Sequence, residues 1–342
     1  MFEGEFTVPE YYEKFRCKGS ECRCCCCGGW NITVSMREYF TLLGIDCSDG
    51  LRKKIDCALH VLHDADPDRY AVISLSYTGE CPLRREEDGY CSLQCECGEE
   101  HLPSVCRYYP RSPRLYPYPE CCISNSCEKV IEDLIATEEP LKFKKINLKF
   151  HFDDDEPIIH AADNYFYMRN LCADILTDRT KGITERIKRI AEALGVDTHC
   201  GIFTEQGTEE LISDLTDIYM DSPSLSGYCR EMQQNKSSFS DIKRAVYSMY
   251  PKFDLYAEKI LANHFFFMKV PFSGQSKNTE EEGIAIYALV IFGIKMLGAC
   301  ADGDINKFVD VTGKLFRVAE HTNFYKNAVV VAKTIIKNKN AL

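Results

Sequence analysis

The chain has 342 residues, with 52 acidic against 41 basic side chains and a formal net charge of −11. That balance works against general nucleic-acid binding, which needs clustered cations to meet phosphates. A hydrophobic fraction of 45% argues against general disorder. Cysteine is the outlying residue: there are twenty, sixteen of them between Cys17 and Cys127, with Cys172, Cys200, Cys229 and Cys300 beyond.

From the start, Met1-Phe2-Glu3-Gly4-Glu5-Phe6 has neither a basic n-region nor an apolar h-region, so no secretory signal is expected. In a reducing cytosol, clustered cysteines point to thiolate–metal bonds rather than disulfides, with disulfide pairing as the alternative. Ser35 to Leu43 and Leu51 to His63 are predicted helices, and Arg69 to Tyr77 alternates weakly like a strand. Asp88-Gly89 predicts a hairpin turn that brings Cys81 and Cys91 together. Tyr108 to Pro119 contains four prolines and cannot be helical.

Ile146 to Phe152 reads as a strand or an extended linker, and Asp153 to Glu156 as a solvated acidic run. Helices are then predicted over Asn164–Leu176, Thr184–Leu194, Glu209–Met220, Ser240–Tyr250 and Lys252–Met268. Three more follow, from Thr279 to about Ala301, near Asp304–Ala319 and over Asn323–Lys337. Ile187, Ile190, Ala191 and Leu194 share one face, and Gly195 marks a stop. Thr279 and Glu282 have the spacing of a capping box. The run Ile284 to Leu297 is shorter than the ~20 residues a membrane span needs, so it reads as a core helix and no membrane partner is expected. The expectation is a mainly α, cytoplasmic protein. An irregular, metal-stapled, Cys-rich N-terminal domain (1–142) packs on a helical C-terminal domain (143–342).

The cysteines fall into four blocks: Cys17, Cys22, Cys26 and Cys27; Cys81 and Cys91; Cys106; and Cys127. Zinc and iron–sulfur clusters each typically take four thiolates, and nearby pairs supply them at low loop-closure cost. Four consecutive cysteines, Cys24 to Cys27, cannot all face one ion if the chain is extended, because neighbours alternate in direction. Cys24, Cys25, Cys95, Cys97, Cys121 and Cys122 therefore read as non-ligands, and Cys47 and Cys57 as packing residues. Cys172, Cys229 and Cys300 read as buried thiols.

These residues resemble a family. Tyr11-Tyr12-x-x-Phe15-x-Cys17-x-Gly19-x-x-Cys22-x3-Cys26-Cys27-x-Gly29-Trp30 is similar to the opening of flagellin lysine-N-methylases. Cys81-Pro82-Leu83, Asp88-Gly89-Tyr90-Cys91, Cys106-x-x-Tyr109-Pro110-Arg111 and Ser126-Cys127 continue the likeness. So do Ile260-Leu261-Ala262-Asn263-His264 and Phe316-x3-Glu320-His321. The first and third blocks also resemble small cysteine-rich proteins that chelate zinc or iron. The resemblance implies methyl transfer from S-adenosylmethionine to lysines of flagellin. It also implies a [4Fe–4S] cluster, with zinc as the alternative, held by Cys17, Cys22, Cys26, Cys27, Cys81, Cys91, Cys106 and Cys127. Eight thiols exceed the four that one cluster needs. The sequence departs from common methyltransferases in lacking a Gly-x-Gly-x-Gly turn, and it has no Cys-x3-Cys-x2-Cys triplet.

No residue is named as catalytic. Glu320-His321 is the one acidic–imidazole pair inside a family-like motif, readable as a general base or as an ordinary helix-end pair, with His264 behind it. A Glu320→Gln variant is expected to lose methyl transfer and keep its fold. Tyr256, Phe265, Phe266 and Phe267 read as core. The reading from another class is a non-enzymatic iron- or zinc-binding or redox-sensing interaction protein.

Overall fold

A computed structural model describes residues 2–150, 152, 160–199 and 201–339. The acidic run Asp153 to Glu156 lies outside them. The chain forms two compact units, residues 16–110 and residues 1–15 together with 111–342. The boundary expected at 142/143 falls inside the larger unit.

In chain order, strand β1 is Phe2–Pro9 and β2 is Ile32–Val34; helices α1 and α2 are Met36–Gly44 and Asp49–Ala58. Then come β3 (Leu59–Val61), β4 (Ala71–Ile73), α3 (Ser92–Cys97) and α4 (Ser104–Tyr108). The larger unit continues with β5 (Arg111–Arg114), β6 (Glu120–Ile123), α5 (Glu128–Ile135) and β7 (Phe143–Phe150). Among the described residues nine helices follow: α6 Tyr165–Leu176, α7 Ile183–Ala193, α8 Glu205–Ile218, α9 Ser226–Gln234, α10 Phe239–Met249, α11 Phe253–Met268, α12 Thr279–Cys300, α13 Ile305–His321 and α14 Phe324–Lys339. The mainly α expectation holds among the described residues.

The smaller unit is a three-stranded antiparallel sheet, order β2-β4-β3, against α1 and α2. Val34, Leu42, Leu51, Ile55, Ile73 and Leu93 are among its core residues. Helix α1 starts with a capping box, in which Ser35 accepts from the Glu38 N–H and the Glu38 side chain accepts from the Ser35 N–H. The second helix ends at Ala58 rather than running to His63. Leu59–Val61 instead pairs with Ala71–Ile73, because a ladder to β4 gives those backbone groups partners at a point where Val61 is a weak helix former. Cys47 packs on this core as expected; Cys57 is exposed and does not.

The larger unit holds a second sheet, order β5-β6-β1-β7, of which the sequence points only to β7, through the strand-like run Ile146 to Phe152. β1 pairs antiparallel with β7 from Phe2↔Phe150 to Pro9↔Phe143 and parallel with β6 at Thr7↔Glu120. Helix α12 is its central pillar: Ile284 to Leu297 are all buried. By length and composition α12 is apolar enough to cross a membrane, yet 83% of that stretch is buried inside the protein. Each fully buried Ile, Leu or Phe there contributes about 1.5–3 kcal/mol. The N-cap of α12 is Asn278, accepting from the Glu281 N–H, not Thr279. Thr279 Oγ1 instead donates to Leu194 O at 3.2 Å, and Glu282 accepts from Ser273 Oγ at 2.7 Å. Gly298 lets α10 approach: a Cβ there would meet Ile242 Cγ2 at 2.6 Å. The Pro-rich segment is non-helical from Tyr109 onward, with a turn at Tyr109-Pro110, strand β5 and a bend over 116–118, while Tyr108, expected outside a helix, is the last residue of α4; the bonds before Pro110 and Pro117 are cis.

Candidate functional site

In the smaller unit, short backbone ties gather the thiols. Gly28 and Glu80 form an isolated bridge, and the Cys81 N–H donates to Cys27 O at 2.6 Å. Arg84 and Cys91 form a second bridge across the turn at Asp88-Gly89, where Gly89 takes φ +74°. The expected hairpin is therefore present. Asp88 Oδ1 accepts from the Tyr90 N–H at 3.0 Å and fixes it. Cys106 rides on α4, whose Ser104 N–H donates to Glu38 Oε1 at 2.6 Å.

The Sγ atoms of Cys25, Cys26 and Cys27 lie within 4.8 Å of one another. Three of the four consecutive sulfurs converge, including Cys25, which was expected to be a spectator. The chain turns at Cys26 and Cys27 instead of running extended, so the alternation argument does not apply. Cys25 ionises first, because the Cys26 and Cys27 thiols donate to it and Arg84 adds positive charge; the same bonds hold Cys27 high. Desolvation raises the thiols of Cys81 and Cys91. Cys106 keeps exposed surface, yet desolvation raises its thiol furthest of these three, and Cys81, Cys91 and Cys26 add to the effect. Cys26, Cys81, Cys91 and Cys106, from three separate segments, are thus electrostatic neighbours. Soft donors so arranged fit a thiophilic metal, whose charge would convert them to thiolates. Cys17 lies near enough to act on Cys26, and its Sγ accepts from the Gly19 N–H at 3.3 Å. Cys22 follows the turn Gly19–Glu21. Cys127 belongs to the larger unit, as N-cap of α5. Cys121 and Cys122 are fully buried in β6.

The larger unit contains a buried polar network built from the β6–α5 connection and helices α11, α13 and α14. Between β6 and α5, Ser124, Asn125 and Ser126 are all buried. Helix α11 supplies Asn263 and His264, α13 supplies Glu320 and His321, and α14 supplies Tyr325. The Glu320 side chain is fully buried and accepts three bonds: Ser124 Oγ at 2.6 Å, the Asn125 N–H at 3.0 Å and His264 Nδ1 at 2.9 Å. His264 Nε2 meets Tyr325 Oη at 2.8 Å. Desolvation holds Tyr325 well above its ordinary range, so its hydroxyl keeps its proton and donates. A His264 proton on Nδ1, donated to Glu320, with Nε2 accepting from Tyr325, satisfies both contacts. Asn263 Nδ2 donates to Ile123 O and Asn125 Oδ1, each at 2.7 Å, and Tyr11 Oη donates to Asn263 Oδ1 at 2.8 Å.

His321 sits at the outer end. Its Nε2 is 3.1 Å from Ser124 Oγ and 3.0 Å from Ser126 Oγ. Desolvation lowers its pKa below the usual 6.5, Glu320 opposing and Arg317 assisting. The sign follows: the unfolded chain takes up this proton near pH 6.5 and the folded one resists, so stability declines as pH falls below about 6.5. Replacing His321 by Gln is expected to flatten that decline, measured as Tm between pH 7.5 and 5.5. An unchanged slope would remove His321 as its source.

Ser124, Asn125, Asn263 and Tyr325 were missed by sequence reasoning. The available signal was polar residues set inside apolar runs, as in Ile123-Ser124-Asn125-Ser126 and Leu261-Ala262-Asn263-His264-Phe265.

A thiol cluster in one unit and a buried Ser–Glu–His network in the other define a cysteine-rich, mainly helical protein. Over 117 residues, 34% of the chain, it is 31% identical to Lysine-N-methylases of Salmonella typhimurium strain LT2 and of Salmonella choleraesuis strain SC-B67. Over the same length it is 30% identical to the Flagellar biosynthetic protein FliU of Salmonella muenchen. The chain spans 28% of the length of the two methylases and 68% of FliU. No family model and no solved structure matches. The chain belongs to the flagellin lysine-N-methylase family.

Proposed function

We propose that this protein is a protein-lysine N-methyltransferase that acts on flagellin in the cytoplasm, with S-adenosylmethionine as donor. The observation that carries the reading is the 31% identity to two Lysine-N-methylases, and the name of FliU supports a flagellar context. In this reading the donor supplies an electrophilic methyl group. The acceptor amine must first lose a proton, since a free lysine has a pKa near 10.4. His321 takes that role: desolvation of its ring lowers its pKa, so it is neutral at pH 7, and Ser124 and Ser126 fix its inner nitrogen. Glu320 and His264 hold the platform beneath it.

Cys26, Cys81, Cys91 and Cys106 are the thiols we assign to a [4Fe–4S] cluster or zinc, with Cys25 and Cys27 beside them. Such a centre would staple the residues around it and supply charge to their sulfurs.

The test is transfer of labelled methyl to purified flagellin. His321→Gln is expected to lower the rate by about 10²–10⁴-fold. The wild-type rate should fall on the acid side only below pH 6.5. Absence of transfer by anaerobically purified protein would sink the reading. The convergent trio Cys25, Cys26 and Cys27 favours a second reading, a non-enzymatic metal-binding or redox-sensing protein. That reading expects reversible oxidation and no methyl transfer.

A further inference from the structure

The larger unit carries a cationic cluster that none of the roles above uses. Arg114 and Arg169 both lie over the Phe266 ring, each 5.6 Å from its centroid. They share one carboxylate: Arg114 Nη2 pairs with Glu120 Oε2, and Arg169 Nη1 donates to Glu120 Oε1 at 2.8 Å. All three side chains are at most 15% exposed. Lys269 is a third cation, close enough for Arg114 and Arg169 to act on its ammonium as like charges. Cys122 and Tyr165, the other acids that act on Arg114, are held protonated by desolvation. Among the described residues, three positive charges therefore face one negative charge.

The α11 C-terminus offsets part of this, since Arg114 donates to Phe266 O at 2.6 Å and Phe267 O at 2.7 Å. A helix end is worth only about half a charge, so more than one positive charge is left over. It rests on Arg169 and Lys269. Arg169 spends Nη1 on Glu120 and on Tyr165 Oη at 2.7 Å, leaving its other nitrogens without a partner among the described residues. The Lys269 ammonium has no hydrogen-bond partner among the described residues; only its backbone is bonded, the N–H to Phe266 O at 3.3 Å and the carbonyl from the Phe272 N–H at 2.7 Å. Its backbone is left-handed, φ 58° and ψ 35°, the one non-glycine residue at positive φ among those described. Glycine or asparagine normally takes that helix-ending position. A lysine held there against its backbone preference, beside two arginines, is difficult to explain by packing.

Next to Arg169 is an aromatic step. Tyr118 and Phe166 have ring centroids 4.6 Å apart, and both contact Tyr165 at 5.7 Å and 5.5 Å. Tyr118 is 38% exposed and Phe166 54%. We propose that Arg169 and Lys269, with Arg114 behind them, form an oxyanion site that takes a phosphate group, and that Tyr118 and Phe166 stack the ring of a nucleotide carrying it. Charge-assisted, forked contacts suit phosphate, and aromatic faces accept any base. A net-positive ligand would be repelled, so this is not a donor-sulfonium site.

The test uses full-length protein, titrated with adenosine 5′-monophosphate, adenosine and inorganic phosphate, read by calorimetry and by Tm. The monophosphate should bind at least about tenfold more tightly than adenosine. Lys269→Gly removes the charge and suits the left-handed backbone, so its Tm without ligand should be no lower. Its affinity for the monophosphate should fall about tenfold, with adenosine binding unchanged. Inorganic phosphate binding as tightly as the monophosphate would confirm the oxyanion site and remove the ring from it. Failure of all three to bind, or equal affinity in Lys269→Gly, would overturn the proposal.

Discussion

Cys106→Ser protein, purified anaerobically, is expected to lose bound metal and with it the protection of residues 16–110 in hydrogen exchange and limited proteolysis. The helices of residues 111–342 should stay protected. Besides its small apolar core the smaller unit has only short elements: its strands are three residues each and its longest helix has ten. Isolated helices of that length are marginal in water. Metal binding at a thiolate site contributes on the order of 10 kcal/mol, enough to decide whether such a unit folds. Cys106 is the informative position because Cys26, Cys81 and Cys91 all act on it, so its loss opens the thiol set, drawn from three segments, that we assign to the metal. The absorbance of the wild-type protein identifies the centre: brown material with iron and sulfide for a cluster, colourless material with stoichiometric zinc otherwise. A fully protected smaller unit in chelator would refute the staple.

Glu320 variants carry the second large effect, and the buried position of Glu320 bears directly on the sequence expectation that Glu320→Gln leaves the fold intact. The carboxylate is the acceptor on which Ser124, Asn125 and His264 converge from two segments distant from it in sequence. Glu320→Ala strands three buried donors and is expected to cost about 3–5 kcal/mol. Glu320→Gln keeps one oxygen but turns an amide toward the proton on His264 Nδ1. The ring can escape by moving its proton to Nε2 and donating to Tyr325 Oη, so the cost should be smaller, about 2 kcal/mol. Urea unfolding midpoints measure both. Midpoints matching wild type would show that the network contributes nothing to stability. Any loss of methyl transfer in these variants must be read against their folded fraction. His321→Gln, altered at the exposed end, is the cleaner probe of chemistry.

How far the sequence could be read depended on whether the signal was local. Helices α7, α10, α11 and α12 were legible within a few residues, because apolar periodicity, Gly195 and the prolines after α10 and α11 are nearest-neighbour features. The hairpin between Cys81 and Cys91 was legible for the same reason. Strands β1 and β6 were not. Phe2–Pro9 becomes a strand only because Phe143–Phe150 lies beside it, across more than a hundred residues. The shortened α2 is a similar case, its last residues claimed by β4.

Composition and spacing by themselves determined that this is a cysteine-rich, mainly α protein with a family-like order of Cys, Ser-Cys, Asn-His and Glu-His elements. Tertiary structure alone decided what those elements do to one another. It placed the first fifteen residues with the larger unit, turned Cys25 toward Cys26 and Cys27, and made Glu320 the buried anchor with His321 outside it. Covalent neighbours dictate propensity and turn chemistry. A side chain's ionisation and partners depend on groups far away in sequence, whose approach is set by burial of the whole core.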